Sequence, residues 1–227
     1  MFPSVLLALL SVALLADPPE PSFDASGRLD RRIRTEDEAR AAKTVREWRA
    51  QALTAKSKDN RIEAAVIILR IAREYAYELG KPERDPLISK QCRTAAIELL
   101  KSRDNAVRAC GLDALWEIGD HECQGAVAPL LYDDNKVLGQ HAARTLGRVG
   151  DDRSVAALKQ AGLDDDLFVW ETSAWALMKI GTPQARKALN ELHARFGNAR
   201  EFIVKVVDYL EGQGPEPTMP VCLGFSE

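Results

Sequence analysis

Three histidines, four cysteines and three aspartate runs are among the groups in this 227-residue sequence whose types could carry chemistry. His121 is followed at once by Glu122, a pairing that could bring an imidazole and a carboxylate to one metal ion. His141 and His193 precede alanines and have no such neighbour. The acidic runs are Asp133-Asp134, Asp151-Asp152 and Asp164-Asp165-Asp166. None has the alternating spacing with which a calcium loop wraps its ion. No glycine-rich phosphate loop, Cys-x-x-Cys pair or nucleophile-elbow sequence occurs. A catalytic centre needs several such groups to converge, and the sequence supplies them singly. It therefore names no catalytic residue, no cofactor-binding residue and no metal ligand, and the expectation is a chain without enzymatic activity.

The acidic runs have a simpler use, because each falls where a helix should begin and a carboxylate can cap it. They also recur, and much else recurs with them. Ile118-Gly119, Val149-Gly150 and Ile180-Gly181 stand 31 residues apart, and so do Val107, Leu138 and Val169. Leu115, Leu146 and Leu177 form another column, the small residues Gly111, Ala142 and Ser173 a third, and Ala126, Ala157 and Ala188 a fourth. Within a unit, apolar or small residues at Val107, Gly111, Ala114/Leu115 and Ile118 mark one face of a first helix. A glycine is expected to end that helix in a left-handed conformation. Asp120, Asp151 or Thr182 then opens a second, shorter helix. Two helices of this size cannot bury their apolar faces alone, so neighbouring units must stack. The expected architecture is an all-α, right-handed solenoid of two-helix repeats.

Before the clear repeats, Val5 to Ala16 is an apolar run of twelve residues broken only by Ser11. A bilayer-crossing helix needs about 20 such residues. The run instead has the form of a secretory signal peptide, residues 1–16, with cleavage after Ala16 or after Ala13. Export places the mature chain in a secreted or periplasmic location. Residues 17–34 read as a flexible linker, and the helical region spans 35–212, with helices expected near 35–55 and 60–79. Residues 199–212 form a capping helix, and 213–227 are a proline-rich tail. With 46% hydrophobic and 29% charged residues and a net charge of −3, the composition fits a packed soluble domain. It supplies no field that would gather nucleic acid.

The units resemble HEAT repeats of the short, phycobilisome-lyase-like type. The residues that carry the resemblance are Val107-Arg108, Ala114-Leu115, Ile118-Gly119-Asp120, Ala126 and Leu130, then Ala142-Ala143, Leu146-Gly147 and Val149-Gly150-Asp151. It is clearest over 102–192. The resemblance implies a non-catalytic protein-binding scaffold, and the signal-like run implies that it works in an extracytoplasmic compartment. It also implies two alternatives: a bilin-lyase-like enzyme or enzyme subunit, and a structural component of an envelope complex. Some HEAT-repeat hydroxylases hold two irons with several His-Glu pairs, whereas this chain has His121-Glu122 alone. The resemblance implies that Arg108 and Trp170 share a column that is usually basic and exposed, and that Arg144 and Trp175 share one that is usually polar. These four are the candidate protein-binding residues. Two readings of the tryptophans stand open: they anchor a partner, or the last helix or the tail covers them.

Cys92 and Cys123 occupy one column, about 8–10 Å apart if their helices pack normally, which is too far for a disulfide. Cys110 and Cys222 have no assigned pairing. The tail carries Met219, Val221, Leu223 and Phe225, and either runs free with Cys222 or folds back onto the helices.

Overall fold

A computed structural model describes residues 44–77 and 86–220. The proposed signal peptide and linker, and Cys222, lie outside the described residues. A helix through residues 44–54 (α1) precedes α2 (Lys58–Tyr77) and α3 (Pro86–Leu99). The clear repeats follow. Their first helices are α4 (Asn105–Ile118), α6 (Lys136–Val149) and α8 (Leu167–Ile180), each of 14 residues and starting 31 residues after the one before. Among the described residues no strand occurs, and the fold is an α-solenoid.

The expected caps form in the clear repeats except at α4, where Asp104 makes no cap bond. Asn135 accepts a hydrogen bond from the Val137 amide, and Asp166 accepts from Phe168 and Val169. Asp120, Asp151 and Thr182 open the second helices by accepting from Glu122, Arg153 and Ala185. Those second helices differ among themselves. After α4 comes a broken stretch: a 3-10 turn His121–Cys123, one α-turn Gln124–Val127 (α5), and a 3-10 run Ala128–Tyr132. Pro129 lies in that last run and has no amide proton to continue a helix. Next come α7 (Asp152–Ala161) and α9 (Pro183–Phe196), the latter as long as a first helix.

First helices pack on first helices, and α8 in turn meets α7 and α9. The column Leu115, Leu146 and Leu177 is fully buried, as is Val107, Leu138 and Val169. Truncating one such leucine to alanine costs about 2–5 kcal/mol, because packed neighbours close only partly over the cavity. The small column serves close approach: a Cβ on Gly111 would lie 2.8 Å from the Ala96 carbonyl oxygen of α3.

The glycines that end the first helices correct the expectation. Only Gly181 is left-handed, with φ 66°; Gly119 and Gly150 are extended, with φ −67° and −77°. Crowding is what excludes a side chain at those two. A Cβ on Gly119 or Gly150 would sit 2.3 Å from the carbonyl oxygen of Leu115 or Leu146. It would also press on Val149 or Ile180 of the next repeat.

The end of the stack is closed by α10 (Glu201–Leu210), which buries Ile203, Val206 and Val207 against α8 and α9. Beyond it, Gln213 donates to the Asp208 carbonyl at 2.8 Å, Glu216 pairs with Lys179, and Pro220 is buried. The segment after α10 is therefore tied back to the helices at Gln213 and Glu216. Cys92, Cys110 and Cys123 are free thiols.

At the loop end of the units, α2, α4 and α6 reach to the acids that precede α4, α6 and α8 respectively. Arg61 of α2 donates to Asp104 at 2.5 Å, Arg108 of α4 to Asp133, and Lys136 of α6 to Asp164 at 2.8 Å. Asp104 consequently makes no cap bond to α4. The hydrogen bond from Arg61 holds the Asp104 carboxyl below the usual carboxylate range. Burial pushes Asp164 up, but bonds from Lys136 and backbone amides outweigh it and leave its pKa lowered as well. Groups whose folded pKa is depressed stabilise the fold above their unfolded pKa and lose that contribution as pH falls through the folded value. The melting temperature should thus hold on acidification to about pH 4 and then drop. Asp104→Asn should lower it at neutral pH and flatten the acid limb, as read by circular dichroism melts. In the same assay Gly150→Val should cost about 1 kcal/mol or more, since the added side chain must push against backbone.

Candidate interaction surface

Across the first-helix layer runs a seam of indole rings and cations. Trp116 of α4 and Trp175 of α8 meet with ring centroids 5.9 Å apart, although α6 lies between their helices. The gap that lets them meet is Gly147, in the same column as Trp116 and Met178. A Cβ there would lie 2.8 Å from the Trp175 ring and 3.0 Å from the Ala176 backbone. Cations close over the rings. The Arg144 guanidinium lies 4.5 Å from the Trp116 centroid, Arg148 lies 5.9 Å from the same ring, and Lys179 lies 5.5 Å from the Trp175 ring. Asp113 fixes this arrangement from below, 2.8 Å from His141 Nδ1 and 3.5 Å from Arg144 Nη1.

The four residues singled out by sequence are thus placed as follows. Trp175 is only 5% exposed, enclosed by the seam, and Trp170 is 7% exposed. Two readings stood open for these rings; neither ring is exposed, and what covers it differs for each. Trp170 is covered by Arg200, whose guanidinium lies 4.7 Å from its ring and 3.7 Å from Phe196. Arg200 is anchored by donating to the carbonyls of Gly162 at 2.5 Å and Asp164 at 2.8 Å. Arg108 is half-buried rather than exposed, bound to Asp133 and to Asn105 at 2.6 Å. Arg144 lies over Trp116. Only Arg144 and Trp175 share a site. Trp116, Arg148 and Lys179 complete it and were not anticipated; a mid-helix glycine beside a tryptophan column was the available signal.

The remaining reactive groups are committed elsewhere. His121 Nδ1 lies 2.8 Å from the Val149 carbonyl oxygen and ties one repeat to the next. Gln124 does the same, donating to the His121 carbonyl at 2.9 Å and accepting from the Ser154 hydroxyl at 2.5 Å. Burial pushes the Cys92 thiol up to about 12 and Cys110 to about 11, so both stay protonated and poorly nucleophilic. Among the described residues, no group of three His, Cys, Asp or Glu side chains is placed to hold a metal ion. The second-helix layer exposes Tyr132, whose hydroxyl donates to the Ala157 carbonyl at 2.9 Å.

Burial makes the two rings structural elements of the stack. Trp170→Ala and Trp175→Ala should each cost about 3–5 kcal/mol in urea titrations followed by circular dichroism. A melt left unchanged by either would mean that the ring serves a partner alone.

Comparison with known proteins bears on the family. Two engineered proteins solved as crystal structures by a structural-genomics consortium resemble the chain with a TM-score of 0.41 each. One has 19% identity over 77% of this chain and 98% of its own. The other has 18% identity over 76% and 98%. No curated protein matches. The family model for HEAT repeats matches residues 93–171 and 125–196, two overlapping stretches that together include the units marked by the 31-residue columns. With the periodicity, the stacked helix pairs and that match in agreement, residues 93–196 of the chain are HEAT repeats.

Proposed function

We propose that this chain is a non-catalytic scaffold that holds a partner protein, and that it works outside the cytoplasm. The observation that carries the first part is the HEAT-repeat stack itself, whose polar and reactive side chains are spent on joining one repeat to the next. His121, Gln124, Asp104, Asp133 and Asp164 all make bonds between units. Such a stack offers an extended, rigid pair of faces, the form in which solenoids present binding surfaces. No helix among the described residues is long and apolar enough to cross a membrane. The second part rests on sequence alone: the run from Val5 to Ala16, short for a spanning helix and followed by Asp17-Pro18-Pro19, has the pattern of a secretory signal.

One experiment addresses both parts. The full chain, tagged at its C-terminus and produced with its own N-terminus, is recovered from the extracytoplasmic fraction after mild cross-linking. Mass spectrometry should find an N-terminus at or near Asp17 and a stoichiometric protein partner. Retention of Met1 on exported protein would refute cleavage. Pigment or metal co-purifying in place of a protein would favour an enzyme of the bilin-lyase kind over the scaffold.

A further inference from the structure

The seam across the first helices already holds one piece of peptide, and the piece indicates what else fits. Residues 215–220, Pro215-Glu216-Pro217-Thr218-Met219-Pro220, have no regular secondary structure. They return to the stack with the Glu216 carboxylate on Lys179 and Pro220 buried. Lys179 lies in turn against the Trp175 ring. The seam thus accepts a proline-containing chain without regular structure through a carboxylate set on a cation beside an indole.

The same arrangement recurs one repeat earlier. Arg148 stands 31 residues before Lys179, in the same column, and lies against Trp116 as Lys179 lies against Trp175. Arg148 is exposed, yet contact with its surroundings strips part of its hydration and lowers its pKa. A carboxylate would relieve that cost, but among the described residues Arg148 makes no ion pair. Asp113 and Glu117 lie on the neighbouring helix: Asp113 pairs with Arg144, and Glu117, paired with Arg73 at 3.2 Å, offsets the desolvation of Arg148 only in part, by its charge.

Spacing adds a rule. Packed helices stand about 8–10 Å apart, and an extended chain advances about 3.3 Å per residue. A peptide that crosses the layer therefore passes one repeat in every three residues or so. Three positions after Glu216 stands Met219, which is 37% exposed and carries no charge, so the described tail cannot serve Arg148 by this rule.

We propose that the seam docks an extended acidic segment of the partner protein, with carboxylates three residues apart, one on Arg148 and one that takes Lys179 from Glu216. The proposal rests on the scaffold reading and names the surface and the chemistry of the partner. A polypeptide is favoured over nucleic acid because the occupant already seated is a carboxylate and because the chain's net charge is −3.

The probe is a fluorescein-labelled synthetic peptide, PEPAEPAEP, titrated into the full chain and followed by anisotropy. The control peptide is PAPEEEPAP, with the same composition but adjacent acids. The first should bind more tightly than the second and weaken as salt rises. Arg148→Gln should weaken it about tenfold, and Glu216→Gln should strengthen it severalfold by vacating Lys179. Lys159→Gln, on the second-helix layer, should leave it unchanged. Equal binding of the two peptides overturns the spacing rule and the proposal with it. So does wild-type affinity in Arg148→Gln, or a single-stranded oligonucleotide of equal charge that displaces the peptide more effectively. If the peptide fails while capture of a protein partner persists in Arg148→Gln, the seam is wrong and the scaffold reading stands.

Discussion

The burial of one helix face between two others, repeated every 31 residues, is the constraint from which the rest of this molecule follows. A single pair such as α6 and α7 is too small to enclose Leu138, Leu146 and Val149 by itself. The faces of α4 and α8 complete the enclosure, so each unit is stable only as part of the row. Close approach of the helices then dictates small residues at Gly111, Ala142 and Ser173. It also leaves no room for side chains at Gly119 and Gly150, where the chain leaves one helix beneath the next. The ends of the row need separate treatment. At the C-terminal end, α10 lays Ile203, Val206 and Val207 on α8 and α9, and Arg200 seals Trp170.

Second to burial comes a set of charged bonds that fixes how each unit sits on its neighbour. Arg61 of α2, Arg108 of α4 and Lys136 of α6 reach to the aspartates before α4, α6 and α8 respectively. The last unit has no cation in that place: Leu167 occupies the column of Lys136 and is 49% exposed. Arg200 arrives from the other side and binds the carbonyls of the same loop. The device changes where the repeat ends, because its partner must come from a helix outside the series.

What repeats was legible in the sequence, and what crosses between repeats was not. The helix starts at Asn105, Lys136 and Leu167, the caps at Asn135, Asp151, Asp166 and Thr182, and the buried leucine column all follow from local pattern and period. The glycine turns were misjudged because a glycine kept for a positive φ and one kept for lack of room look identical in sequence; Gly181 is the first kind and Gly150 the second. The ion pairs join residues 43, 25 and 28 positions apart, so no fixed interval announces them. For Trp170 and Trp175 the sequence left two readings open, a partner anchor or a ring covered by the chain's own end, because the resemblance makes one column basic and the other polar. Their burial depends on Arg200 and on Gly147, residues that belong to other elements. The surface that remains, Arg148 and Lys179 against two indoles, became visible only once those rings were seen to be enclosed.

The contact of Trp116 with Trp175 also changes how the row comes apart. In a simple stack each unit touches only the units on either side, so thermal fraying proceeds from an end one unit at a time. Here the indoles bridge from α4 to α8 above Gly147, which makes α6 the middle of a clasp. Losing α8 exposes a face of α6 and also uncovers the Trp116 ring two helices away. The three first helices should therefore open as one cooperative block, with slowed amide exchange shared across Asn105–Ile180 and faster exchange toward α1. A single missing β-carbon thereby ties the local stability of one end of the solenoid to its middle.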